Sequence, residues 1–380
     1  MKSPICERFG IEFPLMAFTH CRDVVVEVSK AGGMGVLGAT GMSPAELETE
    51  LAWIDEHIEG HPYGVDLLIP NKMLGKDETP STDEMVALVP KSHTDFTNSI
   101  LERYQIDNAE IDDETRARFA SFGDNMRTGG AQALLDVAFA HPISMIVNAL
   151  GVPPDYMLKR GKDNGVAVGA LVGAKEHAIR QVQAGVDVLV VAGSEGGGHC
   201  GTVTTMVLIP EVHEAIQPFG DVPILAAGGI ATGRQMAAAM TMGAAGVWCA
   251  SVWLTTVEAE TSEPVKAKML AAGSADTVRS KSRTGKFSRQ LRSPWTDAWE
   301  APDAPEPLPM PLQTIVSGPP LAKVDKLSEG GHPGAQQLAT YWVGQGVGLM
   351  HDSMSVRAVV NDFREDFVDA YERLTGFLEE

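Results

Sequence analysis

The feature that most restricts this chain is an alternation. Runs at 13–18, 34–37, 63–69, 144–150, 166–172, 186–191, 223–227 and 246–250 are apolar enough to be strands buried on both faces. Amphipathic stretches such as 23–30, 154–162, 175–184 and 234–242 lie between them. Strand–helix–strand repetition of this kind is the signature of a parallel sheet. The spacing predicts about eight strands, the number that closes a (β/α)8 barrel. An open doubly wound sheet is the structural alternative. One helix start is explicit: Ser43 as N-cap, Pro44 in the first turn and Glu46 in the capping-box position.

Two regions depart from the alternation. Residues 70–138 are polar and acidic, with a helical piece predicted at 112–120, and form a long insertion of the kind that serves as a lid or binding segment. After residue 256 the character changes: 279–292 is basic, 301–320 is rich in proline and predicts an extended strap, and 355–378 predicts a pair of amphipathic helices. The expected organisation is a barrel over 1–256, with the insertion, followed by a mostly helical extension over 257–380.

Composition narrows the partners. Thirty Lys and Arg against fifty Asp and Glu leave a net charge of −20. Such a surface repels nucleic-acid backbones and anionic lipid, so neither is expected as a partner. An anionic cofactor would need a local site. The four cysteines, Cys6, Cys21, Cys200 and Cys249, show no zinc or disulfide spacing, and reduced thiols in the cytoplasm are expected. Residues 1–19 lack the apolar core of a signal peptide. Residues 235–257 carry no charge and imitate a membrane span, but the Gly243-Ala244-Ala245-Gly246 break reads better as helix, turn and buried strand.

Three stretches carry chemistry. Directly after the 186–191 strand comes Gly193-Ser194-Glu195-Gly196-Gly197-Gly198-His199-Cys200-Gly201. Barrels place their chemistry at the C-terminal ends of strands. Glycines let a backbone approach a flat ligand closely, and His199 is the side chain of the run that can exchange a proton near neutrality. A flexible loop with an exposed histidine is the bland alternative. Ala227-Gly228-Gly229-Ile230 after the 223–227 strand offers glycine amides at a helix start, which suits a phosphate, although a tight turn also favours glycine. Gly246-Val247-Trp248-Cys249-Ala250-Ser251 closes the next strand, and loops after the last two strands form the usual phosphate cradle of barrels. A phosphate-bearing cofactor follows from the pair. No G-x-G-x-x-G follows the first strand, and neither G-x-S-x-G nor HExxH occurs, so a Rossmann site, an α/β-hydrolase elbow and a metal are not expected.

Weaker candidates remain open between two readings. The basic run Arg279, Lys281, Arg283, Lys286, Arg289 and Arg292 could hold a phosphorylated substrate or form a solvated face. Trp295, Trp299 and Trp342 could line a pocket or simply pack, and His20 and His141 read as structural.

Together the motifs resemble the nitronate monooxygenase (2-nitropropane dioxygenase-like) family, which also contains FMN-dependent enoyl-thioester reductases. Ala31-Gly32-Gly33-Met34-Gly35 looks like its early turn, and Glu195-Gly196-Gly197-Gly198-His199 matches its E-A/G-G-G-H. Ala226-Ala227-Gly228-Gly229-Ile230 and Gly243-Ala244-Ala245-Gly246-Val247 match its phosphate-binding pair, and Gly344-Gln345-Gly346-Val347-Gly348 its C-terminal turn. The resemblance implies FMN as cofactor, His199 as catalytic base, and FMN contacts at Asp66, Gly197, Gly198, Gly228, Gly229, Trp248, Cys249, Ala250 and Ser251. Three positions depart from the pattern: Asp66 stands where the family has Asn, Ala192 where it has Gln, and Cys249-Ala250-Ser251 where it has Met-Gly-Thr. The expected activity is oxidation of small alkyl nitronates with dioxygen. An NAD(P)H-dependent reductase of enoyl thioesters or quinones is the second expectation, and a non-catalytic phosphometabolite-binding barrel the third. A homo-oligomer is compatible with each.

Overall fold

The computed structural model describes residues 1–69, 82–107 and 128–378. Eight parallel strands close into a barrel: β1 (Leu15–Thr19), β2 (Met34–Gly38), β3 (Tyr63–Leu67), β4 (Met145–Asn148), β5 (Ala167–Val172), β6 (Val188–Ala192), β8 (Ile224–Ala227) and β9 (Gly246–Cys249). The two ends of the sheet meet where Met16 pairs with Trp248. The eight sequence-predicted strands are these eight, and the closed ring excludes the open sheet. Residues 235–257 form the predicted helix, turn and strand, and no described helix is long and apolar enough to cross a membrane.

Local chemistry explains the boundaries. Ser43 and Glu46 make the reciprocal capping box at the start of helix Pro44–His57. Gly165 and Gly185 end helices Asp155–Asn164 and Lys175–Ala184 in the left-handed region, where a Cβ would be penalised. Inside the barrel, Met16, Met34, Met145, Val147, Val188, Val190 and Leu225 form one core, and helix Pro4–Phe9 adds Ile5, Cys6 and Phe9 at its lower end. With that end plugged, the mouth at the C-terminal ends of the strands is left for chemistry.

The described parts of the insertion are helices Thr82–Ala87, Lys91–Arg103 and Thr128–Ala138. The helical piece predicted at 112–120 lies outside the described residues. Beyond the barrel, β10 (Thr277–Ser280) and β11 (Ser288–Leu291) form an antiparallel hairpin, and β11 pairs with β7 (Gly198–His199).

Two expectations for this region are corrected. The proline-rich stretch is not extended throughout, because helix Leu312–Glu329 runs through Pro319 and Pro320. Burial of Val316, Leu321 and Val324 in a core shared with Trp295 and Trp299 outweighs the hydrogen bonds those prolines forfeit. The predicted terminal helix pair is one helix, Val356–Gly376, with no glycine or proline inside it until the last residue. It returns to the barrel and buries Val356, Val359, Val360 and Phe363 beside Trp253 and Met236.

Candidate active site

The Gly-rich stretch after β6 is held from three sides. Glu195 turns back so that its carboxylate accepts the backbone N–H of Thr205 at 2.9 Å, at the start of helix Thr205–Ile216, where negative charge is favoured. The Thr205 hydroxyl lies 3.1 Å from that carboxylate and 2.9 Å from the carbonyl of Gly228, tying the two glycine loops together. From the hairpin side, Arg289 donates from Nε to the Ser194 carbonyl and from Nη1 to Thr277 Oγ1, each at 3.0 Å, while Arg279 reaches the Cys200 carbonyl at 3.5 Å. From the C-terminal turn, the N–H of Gln345 donates to the Glu195 carbonyl at 2.8 Å and that of Gly344 to Ser251 Oγ at 2.9 Å.

These contacts make the loop a strand. Gly198 and His199 pair with Arg289 and Ser288, so His199, though exposed as a residue, has a fixed register rather than the freedom of a flexible loop. Its Nε2 is 2.8 Å from Thr284 Oγ1, and Thr284 also lies 3.3 Å from the Lys286 carbonyl. A tautomer with Nε2–H donating to Thr284, and Thr284 donating onward to Lys286, leaves a lone pair on Nδ1. Partial loss of water around the ring, and then the nearby Lys286 ammonium, hold the His199 pKa below its ordinary 6.5. That direction favours the neutral ring, the form able to accept a proton.

Across the mouth the residues fit a phosphate. Gly228 and Gly229 adopt φ of +104° and +73°, which only glycine takes without strain. Among the described residues the amides of Gly229, Ile230, Ala250 and Ser251 donate to no other group, and Ser251 adds a hydroxyl whose proton is not committed. Uncommitted amides in the loop leading to helix Gly233–Thr241 and at the opening of the 3₁₀ turn Ser251–Thr255 suit an anion.

The remaining candidates divide by face. Trp248 is inside the barrel, stacked on Phe18 with centroids 5.8 Å apart. Cys249 faces the other way, into the core between sheet and helices, so only its backbone is available to the mouth. Asp66 points into the barrel, because Tyr63, Val65 and Leu67 on the alternate positions of β3 pack outward. It is 2 % exposed, its Oδ1 has no hydrogen-bond partner, and burial raises its pKa well above the ordinary 3.8. Ala192 closes β6 beside Ala227 and offers no polar group. Gly197 is required by packing: a Cβ there would lie 2.8 Å from the Val343 backbone.

Several readings from sequence change here. The basic run is neither a solvated face nor an open phosphate patch. Arg289 is 8 % exposed and spent on the loop, and Arg283 bonds Gln290 at 3.0 Å. Lys281, whose ammonium pairs with Glu306 at 3.1 Å, lies 5.2 Å from the Phe287 ring and the Arg279 guanidinium 5.3 Å from it, while Lys286 and Phe287 are exposed. Trp295 and Trp299 are core, whereas Trp342 donates to Ser288 Oγ at 3.2 Å, beside the ladder position of His199. His141 is structural, 2.7 Å from Asp55. His20 sits at the mouth with Nδ1 2.6 Å from the Gly38 carbonyl. Sequence reasoning missed Thr205 and Thr284, and named the Gly344-Gln345 turn without its contact to Glu195.

Comparison with known proteins now adds to this geometry. The nitronate monooxygenase family pattern matches residues 2–366, and the chain belongs to that family. A Mycobacterium tuberculosis protein, Rv1533, whose name says monooxygenase and no more, is 49% identical over 382 residues covering 100% of both chains. A Staphylococcus aureus protein named "Probable nitronate monooxygenase" is 25% identical over 77% of this chain and 79% of its own. Among solved structures, a nitroalkane oxidase from Streptomyces ansochromogenes superposes with a TM-score of 0.77 at 22% identity, covering 96% of this chain and 98% of that one. FabK from Thermotoga maritima gives 0.69 at 23% identity, covering 99% of each chain. At such identities the two structures speak for the barrel alone. Family membership makes the protein an oxidoreductase of a flavin-using family, which overtakes the non-catalytic reading.

Proposed function

We propose that the protein is an FMN-dependent nitronate monooxygenase that oxidises small alkyl nitronates with dioxygen. The observation that carries this is His199: an imidazole pinned by Thr284 and by its ladder with Ser288, beside loops whose backbone amides are uncommitted. Gly229, Ile230, Ala250 and Ser251 would hold the phosphate, with Gly228 setting the approach. Gly198, Trp248 and Asp66 would border the ring system, and Cys249 would contribute backbone only. When bound, the flavin supplies the redox chemistry between nitronate and dioxygen. His199 orients the nitronate, or takes the α-proton of the parent nitroalkane onto its free nitrogen, and the pinned ring makes that geometry available without a search. The Gly344–Gln345 turn, bonded to Glu195 and Ser251, would hold the His199 loop and the cradle loop in one arrangement.

Oxygen uptake tests this directly. Wild-type protein should consume dioxygen with a small alkyl nitronate, and His199→Asn should lose most turnover while keeping FMN. Full turnover in that variant would remove His199 from the chemistry.

A second reading has its own observation. Phe287, half exposed, is flanked by Arg279 and Lys281 next to His199, an aromatic–cation rim of the kind that could receive a nucleotide. An NAD(P)H-dependent reductase of enoyl thioesters or quinones would use it. Oxidation of NADPH or NADH faster than of any nitronate would favour this reading.

A further inference from the structure

The eight barrel strands contain a single Asp, Glu, Lys, Arg or His, and it is Asp66. An unpaired carboxylate in such a place would oppose folding by several kcal/mol. No described cation forms an ion pair with it, and its Oδ1 is buried without a partner. The neighbouring strands offer little: β2 presents Gly38 and β4 presents Val147 in register with it. A Cβ on Gly38 would lie 2.7 Å from the Phe18 ring and 2.8 Å from that of His20, so those rings close the side toward β1. His20 is the titratable side chain brought near by that strand, and its Nδ1 is engaged with the Gly38 carbonyl. Packing alone would be served better by an apolar side chain, so a polar group left short of a partner here points to a ligand.

We propose that Asp66 serves as a neutral carboxylic acid that donates its proton in a hydrogen bond to an acceptor atom of the bound flavin, making cofactor affinity pH-dependent. This rests on the cofactor reading above. A protonated carboxyl has one O–H donor, which matches an acceptor on the ligand, whereas a carboxylate could only accept. Ionisation would replace the donor with a buried negative charge against an electron-rich ring, so affinity falls as pH rises. Asn at this position keeps an N–H donor of similar shape and cannot ionise.

The test is FMN titration of the apoprotein from pH 6 to about 9.5 for wild type, Asp66→Asn, Asp66→Leu and His20→Asn, with infrared difference spectra on FMN binding. Wild type and Asp66→Asn should bind within about threefold of each other at pH 6. Asp66→Leu should bind about tenfold more weakly, the loss of one hydrogen bond of about 1.4 kcal/mol. Wild-type affinity should decline with pH, Asp66→Asn should be flat, and His20→Asn should still decline. A protonated-carboxyl C=O band should shift on FMN binding in wild type and be missing in Asp66→Asn. Asp66→Leu binding FMN as tightly as wild type at every pH, or a carboxylate signature for Asp66 in the holoprotein, would overturn the proposal. FMN binding that ignores Asp66 removes this inference alone, whereas no FMN binding by wild type removes the cofactor reading as well.

Discussion

Replacing Arg289 separates two roles for the basic hairpin. Its guanidinium is 8 % exposed and spans two acceptors, the Ser194 carbonyl and Thr277 Oγ1, both at 3.0 Å. Arg289→Met keeps much of the volume and removes both donors. Hydrogen bonds from a charged donor are worth about 1.5–3 kcal/mol each. Relief of the guanidinium's own desolvation offsets part of this, so a net loss of about 2–4 kcal/mol in stability is expected. The larger effect is local: Ser194 loses its anchor, and His199 follows five residues later in a strand that pairs with β11, which carries Arg289 itself. A misplacement near 1 Å can lower turnover by up to about 100-fold. The assay is steady-state nitronate oxidation by oxygen uptake, with thermal unfolding and FMN content measured on the same preparation. A positioning role lowers kcat about 10- to 100-fold with KM little changed and FMN retained, and Arg289→Lys recovers part of the loss. A role in binding an anionic substrate instead raises KM and leaves kcat. Wild-type kcat and melting temperature in Arg289→Met would refute the reasoning.

Further outcomes follow from the same geometry. Because burial first and Lys286 second depress the His199 pKa, and the neutral ring is the active form, kcat/KM should rise with pH along a limb lying below 6.5. Lys286→Met should move that limb upward, more so at low ionic strength, and a downward or absent shift would contradict the charge effect. The same depressed pKa means that protonating His199 opposes folding, so its contribution to stability is lost as pH falls through that limb. Gly229→Ala places a side chain at φ +73°, with its Cβ 2.8 Å from that of Glu195. It should weaken FMN binding about tenfold or more by titration, and unchanged affinity would take Gly229 out of the cradle. Asp66 acts in the opposite sense to His199. Its raised folded pKa makes stability fall by about 1.4 kcal/mol per pH unit as pH climbs from the unfolded carboxyl's titration to the folded one's, and Asp66→Asn should abolish that slope in apoprotein denaturation curves.

The barrel was legible because each strand announces itself locally, through a short apolar run between capped helices. The glycine loops were legible for the same reason, since a backbone forced to φ of +104° at Gly228 leaves its mark as glycine. What escaped is what depends on partners distant in sequence. Thr284 stands 85 positions from His199, and nothing local to either reveals that they bond. The role of Glu195 was equally hidden, because its carboxylate closes on Thr205 only once helix Thr205–Ile216 is in place. Propensity misled at Pro319 and Pro320, where tertiary burial keeps a helix intact. The basic run misled because charge alone does not distinguish a solvated cation from Arg289, whose donors hold a loop. Alternation within β3 did carry the direction of Asp66, and its apolar setting could have been read from the flanking Val65 and Leu67.

The most direct measurement is an anaerobic absorbance titration of the purified holoprotein, first with NADPH and NADH and then with an alkyl nitronate. The expected result is an oxidised-flavin spectrum that the nicotinamides leave unchanged and the nitronate bleaches, with bleaching slowed in His199→Asn. Bleaching by NADPH or NADH and not by nitronate would contradict the nitronate reading, and a protein that neither carries nor takes up FMN would contradict the cofactor on which it depends.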